Sequence, residues 1–151
     1  MISLSGKIVD VVHKRIFEGI LHIEDGIINS IEECSVNEDQ YILPGLVDAH
    51  IHIESSMLSP ISFARQAVIH GTVASVSDPH EIANVCGIKG VDYMIRNASL
   101  VPFKFNFGAP SCVPATSFES SGANLGPKEI ESLLKLDHIK YLSEMMKLLL
   151  R

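Results

Sequence analysis

No stretch of this sequence approaches the ~20 consecutive apolar residues needed to cross a bilayer, so no membrane partner is expected. Met1 to Gly6 also lacks a basic segment followed by an apolar core, the pattern of a secretory leader. Clusters of one charge are wanting too. The twelve Lys and Arg residues are scattered through a chain of formal net charge -6. A phosphate backbone calls for a basic face, so nucleic acid is excluded as the main partner. Cysteine is scarce. Cys34, Cys86 and Cys112 are odd in number and far apart, which supplies neither a disulfide framework nor a Cys-x-x-Cys zinc site. Each is expected to be a small buried hydrophobe, in a reducing, cytoplasmic setting.

What is present fits a globular chain. Its 151 residues are 46% hydrophobic and 20% charged, enough for a substantial core. Residues 1–43 read as a small antiparallel β-sheet domain. Lys7 to Val12, Gly19 to Ile23 and Ile27 to Ile31 are short apolar or β-branched runs, and Asp25-Gly26 joins the last two as a hairpin signal. Tyr41-Ile42-Leu43 adds another short run. Such a sheet is too small to stand alone and should pack on something else.

From residue 44 to 151 the pattern changes to strands alternating with helices. Leu46 to Ile53 reads as a strand, and Ser59-Pro60 opens a helix that closes near His70-Gly71. Thr72 to Ser77 is a second strand, Val85 to Ala98 a second helix, and Phe103 to Phe107 a third strand. Gly126-Pro127 opens a third helix, and His138 to Leu142 is a fourth strand. Repeated strand–helix units imply a parallel sheet with crossover helices. Both a doubly wound sheet and a TIM-type barrel begin this way. The absence of a Gly-rich fingerprint after the first strand weakens the dinucleotide-binding option.

His50 and His52 carry the chemistry. Residues two apart in a strand share a face, so the pair can present two imidazoles to one divalent metal at the strand's C-terminal end. The bland alternative is two half-buried strand histidines. Asp78, His80 and Glu81 follow the second strand, where they could meet a substrate or a metal. Asp78-Pro79 equally makes a good turn, with Asp able to cap the next helix. Glu54 extends the same-face series from His50 and His52 as a ligand, a proton shuttle or an ordinary loop acid. Ser111 follows the third strand. Its neighbour Cys112 has no base beside it in the sequence, which argues against a thiolate nucleophile. His13, His22 and His138 read as surface or packing residues, and His70 as a favourable helix-end cation.

Four blocks together resemble a known family. They are residues 41–57, with Pro44-Gly45-Leu46-Val47-Asp48-Ala49-His50-Ile51-His52-Ile53-Glu54-Ser55-Ser56 at their centre; Ser77-Asp78-Pro79-His80-Glu81-Ile82-Ala83-Asn84; residues 107–115; and Ser143-Glu144-Met145-Met146. The Pro-Gly-x-x-Asp-x-His-x-His part is similar to many amidohydrolases, and the remainder resembles the adenine deaminases among them. The resemblance implies the first half of a (β/α)8 barrel behind a small β domain. It also implies hydrolysis of adenine to hypoxanthine and ammonia in purine salvage, at a dinuclear manganese or iron site where activated water attacks the carbon bearing the amine.

By the same resemblance His50 and His52 bind metal, and Glu144 bridges the two ions and takes part in catalysis. Glu54, His80 and Glu81 are further catalytic candidates, with Asp78 and Ser111 on the purine. The full-length family implies a homo-oligomer. Another amidohydrolase acting on a cyclic amide, or a non-catalytic remnant that binds metal or a partner, remain as alternatives. A barrel takes ~200 residues or more, and no counterparts of the family's later histidines and aspartate are present. After Met146 the chain reads Lys147-Leu148-Leu149-Leu150-Arg151 where the family continues into a polar loop. The expectation is a truncated chain that is inactive, or nearly so, by itself.

Overall fold

The computed structural model describes residues 1–116 and 118–145. It divides into two compact units, Met1–Pro44 and Gly45–Arg151. The pair Ser143-Glu144 is therefore described, whereas Met146 and the five residues after it lie outside the described residues.

The first unit is a four-stranded sheet built from β1 (Ile2–Asp10), β2 (Arg15–Glu24), β3 (Ile27–Glu33) and β4 (Tyr41–Ile42). Asp25 and Gly26 form the β2–β3 turn with φ of 51° and 77°, as a two-residue hairpin requires. The sheet order is β3-β2-β1-β4. It is mixed rather than wholly antiparallel, because the short β4 pairs parallel to β1. Register places Ile8 opposite Phe17, and Leu21 opposite both Leu4 and Ile31, all on one face. Ile8 and Leu21 are buried, but Ile28 and Ile31 on that face remain more than half exposed. They line an apolar groove of about 480 Å³ with Phe17 and Ile42.

The second unit is α/β. Its sheet runs β5 (Leu46–Ile51), β6 (Thr72–Ser77), β7 (Lys104–Ala109), β8 (Ile139–Leu142), in that order and parallel throughout. The helices α1 (Pro60–Val68), α2 (His80–Cys86), α3 (Ile88–Ala98) and α4 (Pro127–Leu134) lie between strands in the chain. Ser59 caps α1 by accepting from the Ser62 amide at 3.4 Å. The apolar side of α3 supplies Val91, Met94, Ile95 and Ala98 to a core shared with Phe107, Leu133 and Ile139. Among the described residues, no helix is long and apolar enough to cross a membrane.

Three sequence expectations need correction. The stretch Val85 to Ala98 is not one helix. Gly87 breaks it with φ 61° and ψ -149°, a conformation open to glycine alone at low cost. The first strand of this unit stops at Ile51, and residues 53–56 form a 3-10 turn. Glu54 therefore leaves the strand face shared by His50 and His52. The cysteines are not uniformly buried either. Cys112 is, but Cys86 is exposed and Cys34 intermediate.

Candidate metal centre

Because all four strands of the second sheet run the same way, their C-terminal ends line one edge. His50 lies in β5 and His52 just past it. Asp78 follows β6 directly, Ser111 follows β7 by two residues, and Glu144 follows β8 by two. Backbone bonds keep these ends aligned. Asp78 N–H donates to the Ile51 carbonyl at 2.9 Å, and Ser143 N–H to the Ala109 carbonyl at 2.9 Å.

The β5–β6 ladder shifts register between Asp48 and Ile51. There the Asp48 carboxylate accepts the His50 amide at 3.2 Å. A local carboxylate thus satisfies a backbone donor at the irregularity, which fixes the strand end that carries both imidazoles. Sequence reading noted Asp48 within the motif without seeing this task.

His50 Nε2 and His52 Nε2 approach to 3.1 Å. Glu144 stands over both, with Oε1 3.5 Å from His52 Nε2 and Oε2 3.9 Å from His50 Nε2. Ligand atoms bonded to one tetrahedral cation at ~2.1 Å would lie about 3.4 Å apart, so the three donors fit a divalent ion of borderline character. His52 Nδ1 faces Glu81 Oε2 at 2.9 Å, close although off the ring's hydrogen-bonding direction. A carboxylate behind a ligating imidazole orients the ring and raises its basicity. Glu81, in the first turn of α2, sits where that role requires.

Glu54 is aimed elsewhere. Its Oε1 accepts the Ile82 amide of α2 at 3.0 Å. Burial raises its pKa above the usual carboxylate value against the opposing effect of that amide, and the charge of Glu81 adds to the rise. The Ser111 hydroxyl donates to the Glu144 carbonyl at 2.6 Å, so it holds the segment carrying Glu144.

Asp78 and His80 are buried side by side. Asp78 does not cap α2; Pro79 occupies that position without a side-chain bond. His80 Nε2 donates to the Cys112 carbonyl. Burial opposes a charge on the His80 ring, but the Asp78 carboxylate, the Cys112 carbonyl and the charge of Glu81 outweigh it and push the pKa up to about 9. Burial, then the negative charge of Asp78, moves Tyr141 up to about 12.

Sequence reading also missed Gly108. A Cβ there would lie 2.1 Å from Ser143 Oγ and 2.6 Å from the Tyr141 ring, so glycine lets β8 approach β7 closely where the Glu144 segment begins.

A parallel α/β sheet whose strand ends converge two imidazoles and a carboxylate is the architecture of a metal-binding hydrolase domain. Residues 41–147 match the amidohydrolase family, and the chain belongs to it. The chain is similar to the adenine deaminase of Sulfurovum sp. (strain NBC37-1), with 62% identity over 144 residues, or 95% of this chain and 27% of the relative. It is 55% identical over 144 residues to that of Salinibacter ruber, covering 95% of this chain and 26% of the relative. To that of Methanosarcina barkeri it is 57% identical over 146 residues, covering 97% and 26%. The chain thus spans about a quarter of the length of the curated relatives it matches.

Proposed function

We propose that this chain carries the first metal-binding portion of a hydrolytic adenine deaminase, which converts adenine and water to hypoxanthine and ammonia. The observation behind this reading is the His50–His52–Glu144 cluster, set in a sequence 62% identical to an adenine deaminase over 144 residues. In this reading residues 44–151 form the N-terminal part of a (β/α)8 barrel, residues 1–43 a separate small β domain, and the protein serves purine salvage in the cytoplasm as a homo-oligomer.

His50, His52 and Glu144 would hold a divalent ion, manganese or iron, in a dinuclear centre. When bound, that ion would supply an activated water at neutral pH. Glu144, with one oxygen toward each histidine, holds the ligand atoms together and offers a carboxylate for proton transfer. Glu81 orients His52. Glu54, held against the Ile82 amide of α2, would serve proton transfer from the edge of the site. Ser111, which fixes the Glu144 backbone, is proposed to contact the purine as well. Asp78 and His80, side by side at the turn after β6, are proposed for the purine, Asp78 in binding and His80 in catalysis.

The test joins this chain to the portion of the Sulfurovum relative that it does not span, loads the product with manganese, and measures ammonia release. Turnover of adenine with no turnover of a panel of cyclic amides is expected. Turnover of a cyclic amide without any of adenine would overturn the assignment.

A further inference from the structure

Two short segments close a ring around the His52 side chain. One is the 3-10 turn of residues 53–56, which begins directly after His52. The other is the first turn of α2, where Glu81 and Ile82 are adjacent. Glu54 Oε1 accepts the Ile82 amide at 3.0 Å, and Glu81 Oε2 returns to face His52 Nδ1 at 2.9 Å. Glu54 stands two residues from His52, and Glu81 is the neighbour of Ile82. Chain and contacts together therefore form a closed circuit.

The circuit matters because α2 does not hold its own start. It has 7 residues, too few for an isolated helix to be stable. The first N–H groups of any helix have no partner within it, and a side-chain oxygen of the N-cap residue ordinarily takes one of them. Here the N-cap is Pro79, which makes no side-chain bond. Glu54 supplies the missing acceptor from another segment, at the third helical amide, where a cap residue would have bonded. The turn that carries Glu54 is itself firmly set. Ile53 is buried in the core, the Ser55 amide donates to the His52 carbonyl at 3.1 Å, and the Ser56 hydroxyl donates to the Ile53 carbonyl at 2.6 Å. Toward its other end α2 is tied to a different loop, through the Gly122 amide on the Asn84 carbonyl at 2.9 Å. That contact leads away from His52, whereas Glu54 leads back to it.

We propose that Glu54 is a positioning residue for the metal centre. By capping α2 from outside the helix, it fixes where Glu81 stands and so how the His52 ring is turned. The role needs an acceptor oxygen rather than a transferable proton, which makes it distinct from proton transfer. The inference rests on the functional reading only in taking His52 as a ligand.

The test reads the His52 ring directly, through the NMR signals of its imidazole nitrogens in the metal-free protein, alongside Mn2+ affinity. Glu54→Ala and the shorter Glu54→Asp both withdraw the acceptor, and circular dichroism identifies the variant that keeps the parent fold. Glu54→Gln retains an oxygen for the Ile82 amide. Glu54→Ala is expected to move the His52 signals in the direction that Glu81→Gln moves them. It should also weaken Mn2+ binding, by no more than the about 10- to 100-fold expected when the group behind a ligand is lost. Glu54→Gln should keep both properties near those of the parent. In the Glu81→Gln background Glu54→Ala should add no further loss, because its effect passes through Glu81. Unmoved His52 signals in a folded Glu54→Ala or Glu54→Asp protein would overturn the proposal. So would additive losses in the double variant, or a Glu54→Gln protein as impaired as Glu54→Ala. Failure of Mn2+ to bind the parent, with His52 signals that respond as expected, would support the positioning role and count against the functional reading instead.

Discussion

Glu81 Oε2 lies 2.9 Å from His52 Nδ1, behind a ring whose Nε2 faces His50. The far nitrogen thereby has a carboxylate at close range while the near one converges with its neighbour. A functional acid thus acts through another residue, and its loss should be read in metal affinity. Glu81→Gln, which removes the charge but keeps the shape, is expected to weaken Mn2+ binding at the His50–His52 site by about 10- to 100-fold. Competition against a fluorescent chelator measures this, and unchanged affinity would count against the orienting role.

Glu144 turns one carboxylate oxygen toward each of His50 and His52. Glu144→Gln should therefore weaken cation binding at that position. Ser111→Ala removes the 2.6 Å bond to the Glu144 carbonyl and should have a smaller effect of the same kind. Mn2+ binding isotherms of the two variants check the order, with Glu144→Gln the more severe.

Gly108→Ala places a methyl group 2.1 Å from Ser143 Oγ and 2.6 Å from the Tyr141 ring. The β7–β8 pair must then move apart, at a cost of about 1–3 kcal/mol as for other overpacked sites. Chemical denaturation should show the loss. A variant as stable as the parent would mean that Tyr141 and Ser143 yield without cost.

Asp10 ties the β1–β2 turn. Its Oδ1 accepts the Val12 and His13 amides at 3.1 and 3.0 Å, and its Oδ2 meets His13 Nδ1 at 2.7 Å. The His13 amide, then the His13 side chain, hold the Asp10 carboxyl below its ordinary 3.8. A depressed folded-state pKa contributes stability above the ordinary value, and that stability is lost as pH falls through the folded one. Hydrogen exchange at Val12 and His13 should be faster in Asp10→Ala at neutral pH. The difference from wild type should close as the medium is acidified below pH ~3.8. A difference that persists unchanged in acid would contradict the assignment.

The strand–helix alternation of the second unit was legible because its signals are local. Ser59-Pro60 starts α1 with a cap and a fixed φ, and Thr72 to Ser77 is β6 to the residue. The helix break at Gly87 was not legible, because Val85 in α2 and Ile88 in α3 keep a helical spacing of three across it. The parallel pairing of β4 with β1 was hidden as well, since two residues carry no periodicity.

At the site, the two-residue spacing of His50 and His52 announced a shared face. The fate of Glu54 could not be read in the same way. It depends on the strand ending at Ile51 and on an amide of α2, 28 residues further on, that donates to its carboxylate. Likewise, the Asp78–His80 pairing rests on the Cys112 carbonyl fixing one ring nitrogen, a contact between segments that sequence spacing does not relate. Gly108 left no signal beyond being a glycine in a strand.

The most direct test of the metal centre is a Mn2+ titration followed by the electron paramagnetic resonance of the free ion, comparing the wild-type protein with His50→Asn/His52→Asn. A centre built on His50, His52 and Glu144 predicts that the double variant loses one tightly bound Mn2+ per chain while its circular dichroism stays that of the parent. An unchanged Mn2+ stoichiometry and affinity in the folded double variant would contradict it.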